Sequence, residues 1–281
     1  MNSVMITGDS RLSVEGFVDI HVHILPGLDD GAKTEGDAIA MATVATKRGT
    51  SKIVATPHVD PLLLPPGATQ VETIKRAVNS LQESITSCGI SIQVMPGMEI
   101  AMTPDLVGYL TRGEVMPVSD RGKYVLVELP FQTIPSYAEE EVFNMAASGY
   151  IPIIAHPERN ASVIRNPNVL IPFLKAGALA HVNAGSLMGR EGHRPQETAE
   201  ILLRHGLAHI IASDGHSATS RQPGLDRAFE IASRLLGEDE ALKTVRDIPL
   251  AIVHGEDAHV NEPEVYKARR KWWRFPRREG S

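Results

Sequence analysis

Cysteine is almost absent: Cys88 is the only one in 281 residues. A single thiol excludes an internal disulfide framework and fits a reducing cytoplasm. It also excludes a cysteine-rich structural zinc site. Thiolate-based phosphoester hydrolysis needs a Cys-x5-Arg loop, and Val94 stands where that arginine would be; Cys88 reads instead as a buried or half-buried residue ending a helix. Long apolar runs are missing too. Nothing approaches the roughly 18 apolar residues of a membrane span, and Met1 to Gly16 lacks the basic-then-apolar order of a secretory signal. Nor is positive charge in excess: a net charge of −6 argues against a nucleic-acid-binding surface. These absences leave a soluble, cytoplasmic chain. With 42% hydrophobic residues it can build a large core, as one α/β barrel or two ordinary domains.

Strand-like and helix-like segments alternate for most of the length. Apolar runs at Phe17–Ile24, Ser51–Ala55, Ile90–Met95, Tyr124–Leu129, Tyr150–Ala155, Leu179–Asn183 and His209–Ser213 read as strands. Helices are expected over Thr34–Arg48, Thr69–Ser87, Pro135–Ser148, Asn168–Ala176, Pro195–His205, Gly224–Leu236 and Asp239–Val245. Thr34 and Asp37 form a loose capping box for the first. Strands apolar throughout and separated by helices imply a parallel sheet covered on both faces. Leu62–Gly67 reads as an apolar loop on its rim.

Histidine and carboxylate residues end these runs: Asp19-Ile-His21-Val-His23, Thr56-Pro-His58, Gly97-Met-Glu99, Val127-Glu128, Ala155-His156 and Ser213-Asp214-Gly-His216, with Asp30 in the first loop. His21 and His23 share a face because strand side chains alternate. Burying such groups together is costly unless they are paired or metal-bound, and mixed imidazole and carboxylate donors suit Mn, Fe or Zn. Parallel barrels and open doubly wound sheets both place sites at strand C-termini; ligands from most strands converge better in a ring. The other six histidines, His181, His193, His205, His209, His254 and His259, read as core or surface residues. Arg159 and Arg221 flank the last two motifs, and a guanidinium fork matches phosphate oxygens. The competing reading pairs each arginine with a neighbouring acid, Glu158 or Asp226.

In this order the motifs resemble the polymerase-and-histidinol-phosphatase (PHP) superfamily. Leu28-Asp-Asp-Gly31 and His156-Pro-Glu-Arg159 make the chain similar to its bacterial CpsB/CapC-type tyrosine-phosphatase branch. The resemblance implies a distorted (β/α)7 TIM-like barrel over residues 17–258, between an N-terminal extension (1–16) and a basic, aromatic tail (259–281). It further implies three divalent metal ions, most often Mn, with Fe, Zn, Co or Mg as alternatives. His21, His23, Glu99 and Asp214 would hold the first ion. Glu99 would bridge to a second, held by Glu128 and His156, and Asp30, His58 and His216 would hold the third. Arg159 and Arg221 would grip the phosphate, with His216 or Asp30 as candidate acids for the leaving group. The implied substrate is a phosphotyrosine protein, such as a membrane-anchored tyrosine kinase of capsule or exopolysaccharide synthesis. Histidinol phosphate, a nucleotide, or a non-catalytic metal-binding role are the alternatives. Val59 to Leu62 departs from the polar residues common in relatives and leaves the substrate rim open. Trp272 and Trp273, set among Lys and Arg, form either a solvated tail or a peripheral contact with an anionic membrane.

Overall fold

The structure, a computed structural model, describes residues 16–64 and 69–267. The basic tail from 268 onward, residues 1–15 and the middle of the rim loop, 65–68, lie outside the described residues. Nine strands run through the described chain: β1 Phe17–Val22, β2 Thr50–Ala55, β3 His58–Val59, β4 Gln93–Pro96, β5 Glu99–Ala101, β6 Tyr124–Glu128, β7 Ile151–Ala155, β8 Leu179–Asn183 and β9 Ile210–Ala212. All pair in parallel, in the orders β1-β2-β4 and β3-β5-β6-β7-β8-β9. The expected parallel α/β architecture is therefore present.

Two short strands, β3 and β5, were not anticipated, and they continue longer ones. Ala55 pairs with Pro96 and His58 with Glu99, so one register passes through both breaks. The breaks fall at Thr56-Pro57 and Gly97-Met98, where Pro57 lacks an amide donor and Gly97 permits close approach. A Cβ on Gly97 would lie 2.6 Å from Val54 Cγ1. Beyond the far end of β9, Val22 and Gly215 form an isolated parallel bridge. His23 N donates to Gly215 O at 2.8 Å, and Asp214 N to His21 O at 2.9 Å.

Helices occupy the connections: α1 Glu35–Lys47, α2 Val71–Ser87, α3 Leu106–Thr111, α4 Ala138–Ala147, α5 Ala161–Arg165, α6 Ile171–Lys175, α7 Ala184–Leu187, α8 His193–Arg204, α9 Asp226–Leu236, α10 Glu238–Leu242 and α11 Ile248–His254. The capping box at Thr34 and Asp37 forms as expected. On α2 the buried residues Val71, Ile74, Val78, Leu81 and Ile85 recur every three or four positions. Each large side chain among them contributes about 1.5–3 kcal/mol by leaving water. Cys88, at the end of α2, is exposed rather than buried. The final helix is the main omission of the sequence reading: Pro249 looks like a breaker there, but a π-helical turn over Lys243–Asp247 carries the chain from α10 into α11, with Pro249 at the second position of α11. Beyond α11 the chain stays docked: Tyr124 Oη donates to Glu256 O at 2.7 Å, and Asn168 exchanges two bonds with the backbone of Tyr266.

The core has two layers. One joins strand residues to the helices and includes Val22, Met41, Ile74, Val127, Ile154 and Ile211. The other lies on the opposite strand face and includes Val18, Ile20, Leu126, Ile153, Leu179, Ala212 and, from α11, Ile248 and Ile252. Strict alternation would place Val22 with Val18 and Ile20, yet it packs with the helices. The register explains this. Asp19 to Val22 spans three steps on β1 while Ile53 to Ala55 spans two on β2, which is a β-bulge. The extra residue swaps the faces, so that His21 and His23 follow Val18 and Ile20 onto the inner face.

Candidate metal centre

On the inner face, the residues that follow the apolar layer toward the strand C-termini are the polar ones. Glu128 continues the row Tyr124–Leu126, His181 and Asn183 continue Leu179, and Asp214 continues Ile210–Ala212. His58 and Glu99 sit side by side where the register passes through the strand breaks. His156 and Asp214 adopt left-handed backbone conformations, with φ of 31° and 50°, immediately beyond β7 and β9. Such strain costs about 1–3 kcal/mol per residue and clusters where side chains must be aimed.

The side chains converge. His21 Nε2 and His23 Nε2 are 3.0 Å apart. Glu99 Oε2 lies 3.2 and 3.3 Å from them, and Asp214 Oδ1 lies 3.6 and 3.4 Å away. His156 Nε2 is 2.9 Å from Glu99 Oε1 and 3.7 Å from Glu128 Oε1. His58 Nδ1 is 2.9 Å from Glu99 Oε2 and 3.9 Å from Glu128 Oε2. Asp30 Oδ1 stands 3.3 Å from His216 Nε2 and 3.6 Å from His58 Nε2. Four donor groups result: His21-His23-Asp214, His21-Glu99-His156, His58-Glu99-Glu128 and His23-Asp30-His58-His216. All nine residues proposed from the sequence are in them.

The donor chemistry suits a cation. His23 Nδ1 is 2.6 Å from Asp29 Oδ2, and His21 Nδ1 is 2.9 Å from His181 Nε2. With the proton of each ligand ring assigned to Nδ1, both Nε2 lone pairs face one another and two carboxylate oxygens. Like-polarity atoms at these separations repel unless something positive sits among them. Donors bonded to one ion at about 2.0–2.2 Å are themselves roughly 3–3.5 Å apart, the spacing seen here. Glu99 Oε2 and His216 Nε2 are buried without a hydrogen-bond partner, which a cation would remedy.

Electrostatics tell the same story. Burial opposes charge on Glu99 and Asp214, but the surrounding imidazoles hold both carboxyls well below the usual range. Burial would also lower His156, yet its bond to Glu99 pushes it up to about 9, and His23 is raised by Asp214, Asp29 and Glu99 against the same penalty. His216 falls to about 4 through burial and the neighbouring His23. Protons on His23 and His156 thus balance the carboxylates in the metal-free cluster.

Both arginines reach the cluster, though not through the neighbours considered from the sequence. Arg159 donates to Asp214 Oδ2 at 3.2 Å and pairs with Glu191 at 3.3 Å; Arg221 donates to Asp214 Oδ2 at 2.6 Å. Glu158 is instead engaged by Asn183 N and Ser186 Oγ, and Asp226 by Arg48. Four other residues had not been assigned to the site: Asp29 and His181, the latter read from the sequence as core or surface, behind the two ring nitrogens, Asn183 donating to Asp214 Oδ2 at 2.8 Å, and Glu191. Asp29 lay in the quoted Leu-Asp-Asp-Gly motif, whereas His181 carried no local signal in its apolar strand. Gly31 is required by packing, since a Cβ there would meet His23 O at 2.0 Å. At the mouth Phe131 is 44% exposed. Its ring lies 6.1 Å from that of His156, tilted by 25°, with the Arg159 guanidinium 4.6 Å from its centre.

Comparison with known proteins bears on this constellation. A family model described as "Capsular polysaccharide synthesis, CpsB/CapC" matches residues 17–254. Tyrosine-protein phosphatase YwqE of Bacillus subtilis is 33% identical over 222 residues, covering 79% of this chain and 86% of the relative. A putative tyrosine-protein phosphatase CapC of Staphylococcus aureus is 34% identical over 212 residues, covering 75% and 82%. A crystal structure from a study of YwqE and of CpsB from Streptococcus pneumoniae, described as metal-dependent tyrosine phosphatases, superposes with a TM-score of 0.83 at 30% identity, over 89% of this chain and 100% of the other. The inward-facing histidines and carboxylates thus belong to a known lineage: the chain is a member of the CpsB/CapC family.

Proposed function

We propose that the protein is a metal-dependent phosphotyrosine phosphatase. The reading is carried by one observation: two imidazole nitrogens and two carboxylate oxygens of His21, His23, Glu99 and Asp214 converge at separations of 3.0 to 3.6 Å. Glu99, with an oxygen toward His156 and another toward His58, suits a shared ligand. His21, His23, Glu99 and Asp214 would hold one ion, Glu99, Glu128 and His156 a second, and Asp30, His58 and His216 a third. Manganese suits their mixed nitrogen and oxygen donors. Bound divalent ions supply an activated water at neutral pH and offset phosphate charge. Arg159 and Arg221 would turn their free N–H groups to phosphate oxygens while Asp214 holds the guanidinium groups in place. Of the two acids considered for the leaving oxygen, the exposed Asp30 suits the role better than His216, which is buried and has its pKa lowered to about 4.

Phe131 supports an aryl phosphate over an alkyl one. Its half-exposed ring beside His156 and Arg159 offers a face for the substrate ring to stack on. The family relationship supports a phosphotyrosine protein of capsule synthesis, such as a membrane-anchored kinase, as the physiological substrate. A cytoplasmic enzyme would meet it at the inner membrane surface, and the basic tail would assist. No helix among the described residues is long and apolar enough to cross a membrane. The strand pairings support a ring of seven: β1, β2 with β3, β4 with β5, then β6, β7, β8 and β9, joined back to β1 by the Val22–Gly215 bridge.

Steady-state hydrolysis of a phosphotyrosine peptide, histidinol phosphate and a dinucleotide, each with added Mn²⁺, tests the reading. Phosphotyrosine is expected to be preferred, with activity lost in His21→Ala and on chelation. Preference for another of the three would overturn the substrate, and a folded, Mn²⁺-binding protein inactive on all would overturn the enzyme.

A further inference from the structure

Beyond the arginines that touch Asp214, the same side of the molecule carries further arginines that the chemistry does not use. A cavity of about 270 Å³ opens beside the metal cluster, lined by Arg159, Arg221, Met188 and Arg190. A second, of about 310 Å³, adjoins it. Met188 and Arg190 line both, and Arg227 and Arg234 of α9 complete the second. Arg190, Arg227 and Arg234 are exposed, and none forms an ion pair among the described residues. Glu191, in the wall of the first cavity, is already engaged by Arg159, Asn183 and Ser186. Glu230 is the one other acid lining the pair of cavities. The surface leading away from the cluster is therefore strongly cationic, on a chain whose net charge is −6.

We propose that this pair of cavities is a docking track for an acidic stretch of the phosphoprotein substrate, its carboxylates seated on Arg190, Arg227 and Arg234. The proposal rests on the phosphatase reading and adds a sequence preference to it. Guanidinium forks bind carboxylates in bidentate fashion. An extended peptide advances about 3.3 Å per residue and its side chains alternate faces, so every second side chain, about 6.6 Å from the last, can enter an adjoining cavity while the phosphotyrosine occupies the metal cluster. Met188, shared by both cavities, is an adaptable apolar contact for the stems of those side chains. A local cationic surface on an acidic molecule also raises the encounter rate with anionic partners and disfavours others.

The test uses the Mn²⁺-loaded full chain and three substrates: a phosphotyrosine peptide with Asp and Glu flanks, the same peptide with Ser and Gln flanks, and p-nitrophenyl phosphate. The wild type is expected to favour the acidic peptide through KM, by a margin that shrinks as salt rises. Arg190→Glu with Arg227→Glu is expected to lower kcat/KM for the acidic peptide by about tenfold or more, leaving p-nitrophenyl phosphate unchanged and the neutral peptide nearly so. The charge-preserving Arg190→Lys with Arg227→Lys is expected to retain most of the preference. Equal kcat/KM for the two peptides in the wild type, or a parallel loss on all three substrates in the Glu variant, overturns the track while the phosphatase reading stands. Absence of wild-type activity on all three overturns both.

Discussion

Several proposed ligands are aimed by a residue behind them, and the clearest case is His23. Its Nδ1 meets Asp29 Oδ2, which also lies 3.3 Å from His58 N, while Asp29 Oδ1 accepts from Gly31 N. The carboxylate fixes the ring and makes its far nitrogen more basic. Asp29→Asn keeps the shape and removes the charge; it is expected to weaken Mn²⁺ binding by about 10–100-fold with an unchanged circular dichroism spectrum. Mn²⁺ titration of the apo protein is the measurement, and an unaltered affinity would make Asp29 a loop-turn residue only. Phe131→Ala is expected to lower kcat/KM for phosphotyrosine by about three- to tenfold, the worth of one aromatic pair, and to spare phosphoserine. A loss shared by both substrates would mean that Phe131 acts by positioning Arg159 instead. At this scale His21, His23, His58 and His216 were legible because their motifs are local and repeat at strand ends. His181 was not: one histidine in Leu-Ala-His-Val-Asn carries no signal until β8 is known to face β1 across the inner layer. Asp30 was singled out from the sequence and Asp29 beside it was not, since only the path of the loop shows that Asp29 meets His23 while Asp30 approaches His58 and His216.

The elements themselves were mostly readable from apolar runs and caps, and the irregularities were not. A β-bulge leaves no mark in Val-Asp-Ile-His-Val, and a strand broken at Thr-Pro and resumed for two residues looks like a loop. Those two irregularities turn His21, His58 and Glu99 toward one point. The start of β9 supplies a prediction on stability. His209 is buried and its ring Nδ1 accepts from Ala180 N at 3.3 Å, so the ring is bound in its neutral form. Burial lowers its pKa from 6.5 to about 4. The unfolded chain therefore takes up a proton near pH 6.5 that the folded chain refuses until about pH 4, and stability falls as pH drops through that window. The sum is about 3 kcal/mol at most. His209→Gln, which can still accept from Ala180, is expected to flatten the difference in urea-unfolding free energy between pH 7 and pH 4. Parallel curves for variant and wild type would count against it.

At the level of the whole molecule, the inner layer supports opposite tasks at its two ends. Ile248 and Ile252 of α11 join its apolar part, whereas the other end holds carboxylates and imidazoles whose mutual burial is tolerable only with compensating charge. Protons or metal ions provide that charge, and they compete. His156 shows the direction: its folded pKa of about 9 stands above the ordinary 6.5, so in the metal-free protein its contribution to stability is complete below pH 6.5 and disappears as pH rises through about 9. Bound metal requires the same ring to be neutral, so metal affinity must rise over that interval as the proton leaves. The melting temperature of chelator-treated protein is therefore expected to fall from pH 6.5 to 9, while that of protein with excess Mn²⁺ falls less or rises, the gap widening with pH. Calorimetric titration of Mn²⁺ into apo protein at pH 7, in buffers of different ionisation enthalpy, is expected to show proton release. A gap independent of pH, with no protons released, would mean that His156 is already neutral in the apo protein and that its bond to Glu99 is made without charge.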